Sequence, residues 1–316
     1  MAVNITEFAG LRVIYRDKAS FDAKLAAFST AGKDKLQVIS DFDFTLSRYF
    51  QKDGNRSYSC HMVLERYEGL PASYQTKAQA LQSHYHPIEN DMSVSEDEKF
   101  GHMNDWANRA NELLREAGLS KTIVNDAVKE AMDKGRFTTR DGLKEMLDYL
   151  VGHDIPLLIF SAGIANVLEY AILRCMHPGV DHEKLKSMDL RSSFETINVV
   201  SNRALWGESG DLVDFSTPVL HVLNKSCTSF LESNPHFQKA SDRTNLFIFG
   251  DSLGDLKMSQ GLDARDEDVI KVGFLNAKSF DELVPIYLKD DAFDLVVLDD
   301  PSVAVQMSLL SEVIGK

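Results

Sequence analysis

Short apolar runs of strand length recur at Gln37 to Ser40, Ile155 to Phe160, Ile197 to Val200, Leu246 to Phe249, Val269 to Phe274 and Asp294 to Leu298. Stretches with apolar residues three and four apart lie between several of them. Strand and helix in alternation predict an α/β fold, a Rossmann-like parallel sheet with helices on both faces. Ser20 is expected to cap a helix whose Phe21, Leu25 and Phe28 share a face and which ends near Gly32. Leu143, Met146, Leu147 and Leu150 mark another, stopping at Gly152.

The pattern changes between about Ser57 and Gly135, where no strand is predicted. Tyr74, Ala78, Leu81 and Tyr85 fall on one helical face, and Pro87 is expected to close that helix by disfavouring helical geometry at His86. A loop from Ile88 to Val94 should follow. Ser95 and Glu98 then form a capping box for a helix carrying Phe100, Met103, Ala107, Ala110 and Leu114 as far as Gly118, and Ser120 opens a third that Gly135 ends. The stretch is expected to be an all-helical cap, residues 57–137, inserted into a core formed by residues 1–56 and 138–316. Asp53-Gly54, between Tyr49 and Tyr58, signals a flap hairpin, and Trp206 to Phe215 a second hairpin.

Composition narrows the partners. A chain of 316 residues exceeds one ordinary core, and 44% hydrophobic with 26% charged residues predicts compactness. A net charge of -14 opposes binding to a nucleic-acid polymer or an anionic membrane, since both need a positive field. A small phosphate remains possible, provided a local cation, metal or helix N-terminus meets it. Cys60, Cys175 and Cys227 are odd in number and widely spaced, as in reduced thiols. Met1 to Lys18 has no cationic start followed by an apolar run, and no segment approaches the roughly 20 apolar residues of a membrane span. A cytoplasmic monomer or weak dimer is expected.

Candidate chemistry gathers where strands end. After Gln37 to Ser40 come Asp41-Phe42-Asp43-Phe44-Thr45-Leu46, and strand alternation places Asp41 and Asp43 on one side with Phe42 and Phe44 on the other. Leu246 to Phe249 runs into Gly250-Asp251-Ser252-Leu253-Gly254-Asp255. Both acidic turns should open on the same sheet edge, where open α/β sheets bind ligands. Ser161 ends a strand, with Ala162-Gly163 leading into a helix, so Ser161 is either a cap or, with the following N–H groups, a phosphate grip. Lys225 is either a solvated helix lysine or a point charge for phosphoryl oxygens. Mg²⁺ suits the set: Asp41, the main-chain carbonyl of Asp43, and Asp251 can supply oxygen ligands. Asp41 can then attack phosphorus as nucleophile, while Asp43 protonates the leaving oxygen and later activates water; Asp255 supports them.

These four segments stand in the order and spacing of the motifs of haloacid-dehalogenase-like phosphohydrolases. More narrowly, Ile39 to Arg48, Phe160 to Ile164, His221-Val222-Leu223-Asn224-Lys225 and Gly250-Asp251-Ser252 resemble the pyrimidine 5′-nucleotidase family, also called cytosolic 5′-nucleotidase III. The resemblance spans about Val38 to Val297 and implies a helical cap, a nucleoside monophosphate substrate and Mg²⁺. It further implies base recognition by Glu89, in Tyr85-His86-Pro87-Ile88-Glu89, with Trp106 as a cap aromatic. Ala107 and Ala110 stand where the family carries an aromatic residue and a substrate-contacting Ser, which leaves the base open between a pyrimidine (UMP, CMP) and 7-methylguanine. Two other readings compete: a phosphatase of another small phosphate ester, and a phospho-aspartate signalling module, which would retain its phosphoryl group and need no acid such as Asp43.

Overall fold

The computed structural model describes residues 5–91, 93–231, 234–276, 280–298 and 301–315. The chain opens with an antiparallel pair, β1 (Thr6–Phe8) and β2 (Leu11–Tyr15), then α1 (Lys18–Ala31) and β3 (Leu36–Ser40). Four consecutive helices follow: α2 (Cys60–Glu65), α3 (Ala72–Asn90), α4 (Glu96–Glu116) and α5 (Lys121–Asp133). Next come α6 (Leu143–Gly152), β4 (Leu157–Ile164), α7 (Ala165–Met176), α8 (His182–Lys186), α9 (Leu190–Ser193) and β5 (Ile197–Asn202). A two-stranded ribbon, β6 (Ala204–Trp206) and β7 (Leu212–Phe215), precedes α10 (Pro235–Lys239) and β8 (Asn245–Gly250). The chain closes with β9 (Val269–Leu275), α11 (Phe280–Tyr287), β10 (Leu295–Leu298) and α12 (Ala304–Ile314).

Among the described residues one sheet has the order β1-β2-β10-β9-β8-β3-β4-β5, parallel from β10 to β5. From β3 the chain builds outward through β4 and β5, then crosses back to add β8, β9 and β10 on the other side. The sheet therefore changes direction at β3, and the crevice outside its carboxyl end is where such sheets bind ligands. All five residues of β3 are buried, as expected of a central parallel strand covered on both faces. Its alternate residues feed different cores: Val38 joins Leu157, Phe247 and Val272 on one face, and Ile39 joins Leu158, Phe160 and Ile248 on the other.

Several sequence expectations need correction. The β1–β2 pair extends the sheet beyond the predicted strands, and Asp17 rather than Ser20 caps α1, its carboxylate accepting from the N–H groups of Ala19 and Ser20. Pro87 does not close α3, which runs on to Asn90. Proline costs the helix only the N–H that would bond the carbonyl of Ser83, an exposed residue that solvent can reach, and the last turn is closed by the Asn90 side chain, which donates to the His86 carbonyl at 2.8 Å. Glu89 consequently sits in the last helical turn, and of the loop expected from Ile88, Met92 lies outside the described residues. Phe100, expected on a packed face, is 42% exposed. The ribbon at β6 and β7 and the Asp53-Gly54 turn, with Gly54 at φ +82° and a Phe50–Arg56 bridge, are as expected. Among the described residues no helix is long and apolar enough to cross a membrane.

Beneath β3, α10 presents His236, fully buried, with Nε2 3.3 Å from the Gln37 Oε1. Burial first, and then the Arg243 charge, hold its pKa down at about 3 against an ordinary 6.5. A folded-state pKa below the unfolded one means that its stabilisation is complete above pH 6.5 and lost as pH falls toward 3. Between pH 7.5 and 5.5 the linkage is worth about 1.4 kcal/mol. Urea unfolding of wild type and His236→Gln at those two pH values should show the wild-type advantage shrinking by about that amount at the lower pH. A constant advantage would contradict a neutral buried imidazole.

Candidate active site

The site begins where β3 stops. The Asp41 N–H donates to the Phe249 carbonyl of β8 at 2.9 Å, so this acid is still held by the sheet. The chain then folds on itself: the Phe42 carbonyl accepts from the N–H groups of Leu46 and Ser47 at 3.0 and 2.9 Å, and the Ser47 hydroxyl accepts from Phe44 N–H at 2.9 Å. Asp41 and Asp43 both line one cleft, while Phe42 enters the core against Phe137. Phe44, expected beside Phe42, lines the cleft instead. Its φ of 64° is left-handed and breaks the alternation that a strand would impose.

Arg140 fastens this turn from behind, and nothing in the sequence singled it out. Its guanidinium donates to the Thr45 carbonyl at 2.8 Å, the Phe44 carbonyl at 2.7 Å and the Asn276 Oδ1 at 2.9 Å, and lies 3.7 Å from the centroid of the Phe274 ring. A single Arg between Thr139 and Asp141 looks like a solvated turn, but the fold buries it to 2% exposure.

Opposite Asp41 stands Lys225, in irregular chain rather than on a helix, with its Nζ 2.5 Å from Asp41 Oδ1 and 2.7 Å from Asp255 Oδ1. Its loop is tied by Asn224, whose amide accepts from His221 N–H and donates to the Val219 carbonyl. A Cβ at Gly254 would lie 2.4 Å from the Val222 carbonyl oxygen, so only glycine lets the acidic turn after β8 approach this loop. Asp255 is engaged at both oxygens, since Oδ2 accepts from the N–H groups of Asp251 and Ser252 and from the Ser252 hydroxyl. It forms the back wall rather than the cleft lining.

On the other side Ser161 and Ala162 line the cleft from within β4, which runs to Ile164. Ser161 is therefore not a helix cap; its hydroxyl accepts from the Gly163 N–H at 3.0 Å, and α7 starts without a side-chain cap. Asp43 accepts from the Cys60 N–H at 2.9 Å, on the first turn of α2.

Crowding of acids in a dry pocket sets the electrostatics. Burial, opposed by Lys225 and reinforced by Asp255 and Asp43, pushes the Asp41 carboxyl up to about 7. Asp43 and Asp251 are also raised, again chiefly by burial. Burial alone would lower Lys225, but the Asp255 and Asp41 carboxylates outweigh it and raise its pKa. One carboxylate oxygen from each of Asp41, Asp251 and Asp255 lies within 4.8 Å of the others. That oxygen-only, charge-starved set fits a hard divalent cation. Because Asp255 already accepts from Lys225, Asp251 and Ser252, Asp41 and Asp251 are the side chains of this set left to hold one.

The cleft holds about 330 Å³ and reaches from these acids to α3 and α4, from which Glu89, Trp106 and Ala110 line it. Trp106 stacks on Tyr85 at 5.8 Å. Burial raises the Glu89 pKa, with His86, Lys99 and Arg56 opposing. Arg56, His61 and Gln82 also line the cleft and carried no sequence signal, and His221, which the sequence marked only as the start of the Lys225 segment, lines it too.

Comparison with known proteins accords with this geometry. Residues 44–314 match the family model described as Pyrimidine 5′-nucleotidase (UMPH-1). The Xenopus laevis 7-methylguanosine phosphate-specific 5′-nucleotidase A is 35% identical over 301 residues, 95% of each chain. The crystal structure of cytosolic 5′-nucleotidase IIIB bound to cytidine matches with a TM-score of 0.78 at 26% identity, covering 98% of this chain and 94% of that one. A HAD-family hydrolase from Salmonella enterica, 15% identical with a TM-score of 0.50 over 91% of this chain and 74% of that one, shares the fold.

Arg140→Ala should strip partners from two carbonyls of the Asp41 turn and from Asn276, at a cost of about 3 kcal/mol in urea unfolding. Arg140→Lys, which cannot reproduce the fork, should recover less than half. A loss under about 1 kcal/mol in the alanine variant would show that the turn holds itself.

Proposed function

The chain belongs to the pyrimidine 5′-nucleotidase family, and on that premise we propose that it hydrolyses nucleoside 5′-monophosphates through a phosphorylated Asp41. The observation that carries this reading is that one cleft of about 330 Å³ is lined both by Asp41 and Asp43 at the sheet edge and by Glu89 and Trp106 of α3 and α4. Asp41 attacks phosphorus, its oxygen–phosphorus bond forming as the bond to the 5′-oxygen breaks. Asp43, whose raised pKa favours a retained proton, delivers that proton to the departing 5′-oxygen. As a carboxylate it then takes a proton from water, which attacks the acyl-phosphate and frees Asp41 and phosphate.

Lys225 holds the Asp41 oxygen that it bonds and leaves the second free to attack. Ser161 and Ala162 face the phosphoryl group from β4. Mg²⁺ held by Asp41, the Asp43 carbonyl and Asp251 would supply positive charge beside the phosphoryl oxygens. Helices α2 to α5, residues 57–137, serve as a cap that presents the base-recognising residues and excludes water. A signalling module is disfavoured, because Asp43 sits beside Asp41 in the position of a leaving-group acid.

For the base, two readings are supported by different observations. The cytidine held by the structural relative favours UMP or CMP; the specificity named for the Xenopus relative favours 7-methylguanosine monophosphate, and the small Ala107 and Ala110 leave space for it. Glu89 serves either, accepting from an exocyclic amine or ring N–H.

Phosphate release across UMP, CMP, GMP and 7-methylguanosine monophosphate, with Mg²⁺ and with chelator, should show turnover only with metal and only for one or both proposed classes. Asp41→Asn should fall at least about a thousandfold while its unfolding midpoint stays near wild type; a smaller fall would reject the nucleophile. Glu89→Gln should raise KM and flatten base preference while sparing p-nitrophenyl phosphate. Equal losses on both substrates would return Glu89 to a structural role.

A further inference from the structure

We infer that Cys60 is a positioning residue for Asp43, holding the proton-donating carboxyl from the first turn of α2. This rests on the reading of Asp43 as the acid that protonates the leaving 5′-oxygen. The Cys60 N–H donates to Asp43 Oδ1 at 2.9 Å, and its side chain packs at the junction with β4 that the same carboxyl faces. The side chain is fully buried, so water does not compete for that carboxyl from this side. β4 closes the third side: a Cβ placed on Gly163 would lie 2.9 Å from the Cys60 Cβ, 3.1 Å from its Sγ and 3.1 Å from Asp43 Oδ2. Three segments distant in sequence therefore meet around one carboxyl with no room for another methyl group.

The consequence concerns orientation. Asp43 lies beyond the end of β3, after the sheet has ceased to hold the chain, so its carboxyl depends on partners from elsewhere. The N–H bond fixes one carboxyl oxygen, and the close packing of the Cys60 side chain and Gly163 restricts the rotation that a single hydrogen bond would leave free. Because Cys60 opens α2, the acid is aimed only when the helical segment is seated on the core. A packed side chain confines the carboxyl without taking its proton, which stays available to the leaving group.

The test compares an ester that needs protonation with one that does not. Wild type, Cys60→Ala, Cys60→Ser, Gly163→Ala and Asp43→Asn are assayed on p-nitrophenyl phosphate and on whichever of CMP and 7-methylguanosine monophosphate turns over faster. Cys60→Ala should lose about tenfold in kcat on the nucleotide, part of what a misaimed general acid forfeits, with KM nearly unchanged and less than about threefold lost on p-nitrophenyl phosphate. Cys60→Ser, which restores an atom at the Sγ position, should recover most of the loss. Gly163→Ala, which forces the pair apart without removing a donor, should show the same contrast and carries the test if Cys60→Ala fails to fold. Equal losses on both esters, or no loss in either variant, would overturn the inference. A contrast in Asp43→Asn that is missing from the Cys60 and Gly163 variants would reject positioning while keeping the acid. No contrast in Asp43→Asn would remove the acid itself, and this inference with it.

Discussion

A buried ammonium between two buried carboxylates is the interaction on which the active end depends. Lys225 joins Asp41 and Asp255, residues 184 and 30 positions away in sequence, where water is excluded. Desolvating three charges is expensive, and the attraction among them is helped to repay it by the further hydrogen bonds that Asp255 accepts. Asp255 has three, from the turn after β8, and Asp41 is anchored by its N–H to β8. Without Lys225, the raised pKa of Asp41 would climb further, and a protonated Asp41 is neither a nucleophile nor a metal ligand.

Sheet topology makes that contact possible. β3 and β8 pair in parallel with Ser40 opposite Phe249, so their terminal acids emerge side by side. β4, on the other flank of β3, brings Ser161 to the same edge. The third contributor, the loop carrying Lys225, has no regular structure of its own. It is held by Asn224 and by the close approach at Gly254, which links it to the β8 turn that it must face. The sheet edge thus supplies the acidic end of the cleft, and helices α3 and α4 complete its lining.

What the sequence made legible follows from how local each signal is. The six central strands were found within a few residues, because both faces of each are covered and each reads as an apolar run. The β1–β2 pair was not, being short and half-exposed. Acids at strand ends announced Asp41, Asp43 and Asp251 because strand periodicity and sheet topology together fix where they emerge. Local rules misled where tertiary contacts outweigh them: Ser161 has the look of a helix cap yet lies in a strand, and Pro87 has the look of a stop yet lies in a helix. Arg140 and Cys60 left no signal because their importance lies in carbonyls and carboxylates that come close only in the folded chain.

The most direct test of the central claim is rapid-quench detection of the phosphorylated enzyme. Wild type and Asp43→Asn would be mixed with ³²P-labelled substrate, quenched in acid, and the protein-bound label mapped by peptide digestion. Label should appear on the Asp41 peptide before free phosphate accumulates, should be released by hydroxylamine as an acyl-phosphate is, and should persist longer in Asp43→Asn, which lacks the base that activates water. Phosphate release with no protein-bound label in either enzyme, or label mapping to a residue other than Asp41, would contradict nucleophilic catalysis by Asp41.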